Sequence, residues 1–164
     1  MRKDIFDIAK EVFDAASVNK VVIASAESCT GGMLSSAITV IPGSSVIFDC
    51  GFVTYSNISK IKLLSVNEKT LDHYGAVSEE VAGEMAIGAI NNSQASLAIS
   101  ITGIAGPGGS ITKPEGMVCF SIAVKKKIML TETKNWSPLG RDRVRQAATL
   151  HGLQLLGRTL RAKI

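Results

Sequence analysis

The chain is poor in the residues that usually announce a site. Among its 164 residues are two histidines, three cysteines, one tryptophan and two tyrosines. The histidines, His73 and His151, lie far apart in sequence, and no CxxC or Cys/His spacing occurs, so no metal site is expected. Cys29, Cys50 and Cys119 are odd in number and read as reduced thiols. Aromatics make up 5% of the chain, so the core must be aliphatic. No apolar run reaches the roughly 20 residues that span a bilayer. The first residues, MRKDIFDIAKEVFDAAS, carry charges throughout and lack the apolar stretch of a signal peptide. A cytoplasmic protein without a membrane partner is expected.

What is present is a globular composition, 46% hydrophobic and 20% charged, with a net charge of +4. The length suits one domain, taken as residues 1–164. The basic balance suits an anionic metabolite or nucleic acid and selects neither. The basic terminal helix lacks interleaved aromatics for stacking bases, which argues against a nucleic-acid partner.

Periodicity divides the chain into alternating elements. Residues 3–17 have helical spacing, and 20–26 read as a buried strand. A helix capped by Thr30 follows and ends before Pro42. Residues 46–55 read as a strand with an irregularity at Gly51, and 56–65 as a short helix. Residues 67–77 read as a connection with a possible single turn. Ser78 caps a helix over 79–91. Residues 95–102 form a strand, 117–125 and 127–134 a hairpin, and 139–162 a long helix. This order implies a layered α/β domain with a largely parallel or mixed sheet.

Several stretches carry chemistry. SAESCTGG, 25–32, places a carboxylate, a thiol, hydroxyls and two glycines where a strand hands over to a helix. Gly31 and Gly32 there allow a ligand to approach free amides. The loop GIAGPGGS, 103–110, is glycine-rich, but it is neither a Walker A loop nor a dinucleotide fingerprint. Ser-x-x-Lys spacing occurs at Ser59/Lys62 and Ser110/Lys113, as chance allows with so many serines and lysines. Ser45, Tyr55 and Lys60 cluster in sequence, though Ser45 and Tyr55 meet only where the strand is bent or the groups come from two subunits. On spacing alone Tyr55 reads first as a strand-end aromatic and the lysines as solvated helix residues. Arg141 and Arg145 share a helical face and can grip a phosphate or carboxylate.

The series AESCTGG (26–32), GSS (43–45), GFVTYSN (51–57), GAVS (75–78), MAIGA (85–89), SITGIAGP (100–107), KP (113–114) and GRDRVR (140–145) resembles the CinA C-terminal domain family over nearly the whole chain. The resemblance implies a three-layer α/β/α domain, taken here with a mixed, mostly parallel sheet. It implies a nicotinamide-nucleotide amidase that turns nicotinamide mononucleotide (NMN) into nicotinate mononucleotide and ammonia in pyridine nucleotide salvage. It further implies no cofactor and no metal, and a homo-oligomer, taken as a dimer. By the same resemblance Ser45 is the expected nucleophile, with Tyr55 and Lys60 as acid/base partners. Ser28, Thr30, Gly31, Gly32, Thr102, Gly103, Gly106, Arg141 and Arg145 are the expected substrate-binding set. Glu27 is expected to orient a ribose hydroxyl or a catalytic neighbour, and Cys29 to be buried and inert. Gly140 departs from the family pattern, where Asp is common before the arginine. The competing expectation is a non-catalytic nucleotide-binding regulator or interaction module.

Overall fold

The computed structural model describes residues 2–136 and 139–162. Its elements are α1 (Lys3–Asn19), β1 (Ile23–Glu27), α2 (Met33–Thr39), a 3-10 turn (Ser44–Val46), β2 (Phe48–Val53), α3 (Asn57–Leu64), α4 (Glu68–Tyr74), α5 (Glu79–Asn91), β3 (Leu97–Gly103), β4 (Met117–Val124), β5 (Lys127–Asn135) and α6 (Arg141–Arg161). The strands form one sheet in the order β2-β1-β3-β4-β5. β1 runs parallel to both β2 and β3, whereas β4 and β5 are added antiparallel. The sheet is mixed, but its pairings divide evenly rather than being mostly parallel.

Every residue of β1 is buried, as a strand covered on both faces requires. One face carries the branched residues Ile23, Ile99 and Ile101, packed with Leu34 and Ile38 of α2, Val12 of α1 and Leu153 of α6. The other face carries Ala24, Ala26 and Ala98 beneath Val81, Met85 and Ala86 of α5. Small residues on that face let α5 sit close to the sheet. At Gly88, α5 also meets α3 so closely that an added Cβ would lie 2.1 Å from the Leu64 carbonyl oxygen. The result is the three-layer α/β/α arrangement.

Two local features differ from the sequence reading. Residues 68–74 form a full helix, whose first turn Asn67 caps by accepting from the Lys69 amide at 2.9 Å. Leu71 is its only buried side chain, so it leaves little periodic signal. The β1–β2 irregularity falls at Asp49, because Ile23 pairs with Phe48 and Ala24 with Cys50; Gly51 pairs regularly with Ser25.

Candidate active site

The parallel strands end together. Ser28 follows β1, Thr54 and Tyr55 follow β2, and Thr102 and Gly103 close β3. From this edge the chain leaves β1 towards β2 but leaves β3 towards β4. Such a divergence opens a crevice at the carboxyl ends of the strands. The backbone there is pinned by the Ser28 amide donating to the Ile101 carbonyl and the Thr54 amide to the Glu27 carbonyl, both at 2.9 Å.

Lys60 reaches into this crevice from the first turns of α3. That helix is fixed by a capping box between Ser56 and Ser59, which also explains Ser59 without any role for Lys62. Lys60 is 1% exposed. Its Nζ donates to the Thr54 carbonyl at 2.7 Å and to Ser28 Oγ at 3.2 Å. Burial, which disfavours the charged ammonium, brings its pKa down to about 8. A serine hydroxyl thus touches a lysine that can be neutral near physiological pH. Spacing in sequence gave no sign of this pair, because 32 residues separate its members.

The turn between Ser28 and α2 is held from inside. One Glu27 carboxylate oxygen accepts from the Gly32 amide at 3.0 Å and the Leu34 amide at 3.1 Å. The other accepts from the Ser35 amide at 2.9 Å and Ser35 Oγ at 2.5 Å. Glu27 therefore caps α2, in place of the expected Thr30, and is not turned towards a ribose. The Gly31 amide donates to the Ser28 carbonyl, so neither glycine offers a free amide to an anion. Thr30 is buried, and its hydroxyl has no hydrogen-bond partner among the described residues. Arg145 donates from Nε to the Cys29 carbonyl at 3.1 Å and from Nη2 to the Thr30 carbonyl at 3.0 Å. Its guanidinium holds the turn that carries Ser28.

The glycine-rich loop is filled in the same way. The Gly108 amide donates to Glu115 Oε2 at 2.7 Å. A Cβ at Gly106, where φ is +91°, would lie 2.4 Å from the Glu115 carboxyl carbon. Gly103 packs against β4, where a Cβ would meet Val118 at 2.6 Å. Thr102 Oγ1 donates to the Ala76 carbonyl at 2.7 Å, which fixes the GAVS turn beside the crevice. Ser110 accepts from the Lys113 amide at 3.1 Å within a tight turn, so that Ser-x-x-Lys match is structural as well. Arg141 donates to the Gly106 carbonyl at 2.8 Å and to the Tyr55 hydroxyl at 2.9 Å, on the open side of the crevice where Tyr55 is exposed.

Ser45 is not part of this constellation. It is exposed in the 3-10 turn before β2, whereas Tyr55 and Lys60 follow the far end of that strand. The six residues of β2 span about 17 Å at roughly 3.3 Å per residue, so one chain does not bring Ser45 to Lys60. The Ser44 amide beside it donates to the Ile41 carbonyl. Cys29 is buried, and desolvation pushes its thiol up to about 12, which leaves it inert. Among the described residues no group of His, Cys, Asp or Glu could hold a metal ion.

Fold and crevice together define an α/β domain with a serine and a desolvated lysine in contact at the carboxyl ends of its parallel strands. The family model of the CinA C-terminal domain matches residues 5–160, and the chain belongs to that family. It is 46% identical to the nicotinamide-nucleotide amidohydrolase PncC of Enterobacter agglomerans, over 93% of both chains. It is 45% identical to the nicotinamide-nucleotide amidohydrolase PncC of Escherichia coli K12, again over 93% of both. Among solved structures, the competence/damage inducible protein CihA from Agrobacterium tumefaciens superposes with a TM-score of 0.93 at 37% identity, covering 98% of each chain.

Proposed function

We propose that the chain, acting as one domain over residues 1–164, is a nicotinamide-nucleotide amidase in which Ser28 is the nucleophile and Lys60 its base. The observation that carries this reading is the 3.2 Å contact between Ser28 Oγ and the buried Lys60 Nζ. Two relatives named for this activity, matched over 93% of their length, support the substrate.

Neutral Lys60 takes the Ser28 proton as Oγ attacks the carboxamide carbon of NMN. The amides of Cys29 and Thr30 follow the nucleophile and, among the described residues, are engaged by no carbonyl or carboxylate. They are the donors assigned to the oxyanion. The Lys60 ammonium returns its proton to the departing nitrogen, which leaves as ammonia, and an acyl-serine remains. Water, deprotonated by Lys60, attacks the acyl carbon and releases nicotinate mononucleotide with Ser28 restored. The chemistry uses no metal or cofactor. Tyr55, held by Arg141, borders the open side of the crevice, where it contacts substrate rather than relaying the first proton. Arg145 is a positioning residue.

The product would enter pyridine nucleotide salvage, in the cytoplasm, and the working form would be a homodimer. Ammonia release from NMN tests the activity. Wild-type protein should release it and Ser28→Ala should not, whereas a Ser28→Ala protein with near-wild-type release removes Ser28 from the reaction.

A further inference from the structure

An amidase acting on a nucleotide must also hold the substrate's phosphate, and of the positions expected to do so, Arg141, Arg145 and the glycine-rich loop, the last two are engaged within the chain. Arg145 clamps the Cys29 and Thr30 carbonyls of the turn that carries Ser28, so drawing it onto a phosphate would release the nucleophile's own turn. The glycine-rich loop already binds the Glu115 carboxylate. A different cation is better placed. Lys113 lies in a cavity of about 420 Å³ whose wall also includes Asp72, His73, Ala76, Ile104 and Thr112. Its ammonium donates to the carbonyls of Tyr74 and Val77. Among the described residues no carboxylate lies within ion-pairing distance of it. Carbonyl dipoles fix the position of a full positive charge without neutralising it, and a phosphate would complete the set.

The cavity adjoins the catalytic crevice through two hydrogen bonds. Ala76, in its wall, accepts from Thr102. Thr102 follows Ile101, which accepts the Ser28 amide. Adjacent strands lie about 4.8 Å apart, so the Ala76 wall of the cavity is linked to the Ser28 backbone across a single strand spacing. Ser110 and Thr112 stand on the same wall as Lys113; the Ser110 hydroxyl is held by the Lys113 backbone, and the Thr112 hydroxyl can donate to a phosphate oxygen. The cavity between α1, α2 and α6 is a weaker candidate, because its cation, Arg2, is already paired with Asp4 at 2.6 Å. Arg141 is outside the lining of this cavity and lies on the exposed surface beside Tyr55.

We propose that the Lys113 cavity is the phosphate subsite, so that Lys113 selects the nucleotide over the free nucleoside. This rests on the amidase reading for the identity of the ligand. It is tested by calorimetric titration of Ser28→Ala protein, which cannot turn over, with NMN and with the phosphate-free nicotinamide riboside. NMN should bind at least about tenfold tighter, a difference of about 1.4 kcal/mol. Adding Lys113→Met should remove that preference while leaving riboside binding unchanged. Asp72→Asn, which removes a negative charge from the cavity wall, should enlarge it, and this variant carries the test if Lys113→Met fails to fold. The inference is overturned by an NMN preference that survives Lys113→Met, by equal binding of both ligands, or by a preference lost in Arg141→Gln instead. Ammonia release by wild type reports on the amidase reading separately. A silent wild type with a Lys113-dependent preference contradicts the amidase and leaves the subsite standing.

Discussion

A lysine side chain only 1% exposed loses the hydration that favours its charge, and no carboxylate beside Lys60 offsets that loss among the described residues. Its pKa of about 8, against 10.5 in water, has two consequences. The proposed mechanism needs the neutral amine, so kcat/KM should rise with pH through about 8 and then level off; a flat profile from pH 6 to 10 would remove Lys60 as the base. Stability should change in the same direction. The folded state binds fewer protons than the unfolded state between about pH 8 and 10.5, so this contribution is complete above the unfolded pKa and is lost as pH falls through the folded one. At about 1.4 kcal/mol per unit the effect is on the order of 3 kcal/mol. Lys60→Met should therefore abolish turnover while folding normally, with a flatter stability profile than wild type in denaturant melts at pH 7 and pH 10. Both Ser28 and Lys60 lie in stretches that stand out in the sequence, AESCTGG and the segment that follows GFVTYSN. Their pairing was not legible there, because it depends on α3 returning its first turns to the end of β1. The resemblance named Ser45 instead, a residue that the length of β2 carries to the opposite end of the sheet.

At the scale of elements, two turns with the sequence marks of anion cradles each hold a carboxylate of this chain. Glu27 closes the amino end of α2 and Glu115 closes the loop after β3. Glycine spacing reports that amides converge, but not what they converge upon. An internal glutamate fits the same geometry as a phosphate. Glu27→Gln should destabilise the protein by about 1–3 kcal/mol, since a neutral amide cannot accept from three amides and a hydroxyl as the carboxylate does; thermal melts check this. Arg145 holds the neighbouring carbonyls through two of its nitrogens, a fork that lysine cannot reproduce. Arg145→Ala should lower kcat about 10²-fold with a smaller change in KM, and Arg145→Lys should not restore it. A purely raised KM would return Arg145 to substrate binding.

At the scale of the whole molecule, the layers follow from patterns visible in the sequence. The unbroken apolar runs at β1 and β3 require cover on both faces, and the amphipathic spacing of α1, α5 and α6 supplies it. The antiparallel half of the sheet was legible as a hairpin, with Lys125 and Lys126 in its turn at φ of +47° and +67°. Helix α4 was not, because its single buried leucine gives no period to read. No described helix is long and apolar enough to cross a membrane. The crevice needs no ion for the proposed chemistry, so chelation with EDTA should leave the rate unchanged; loss of activity restored by a divalent metal would contradict the scheme. The most direct measurement is ammonia release from NMN by wild type, Ser28→Ala and Ser45→Ala side by side. Release by wild type and Ser45→Ala, with Ser28→Ala lowered at least about 10³-fold, is the predicted result. Activity retained in Ser28→Ala and lost in Ser45→Ala would contradict the Ser28–Lys60 site and return the nucleophile to the far end of the sheet.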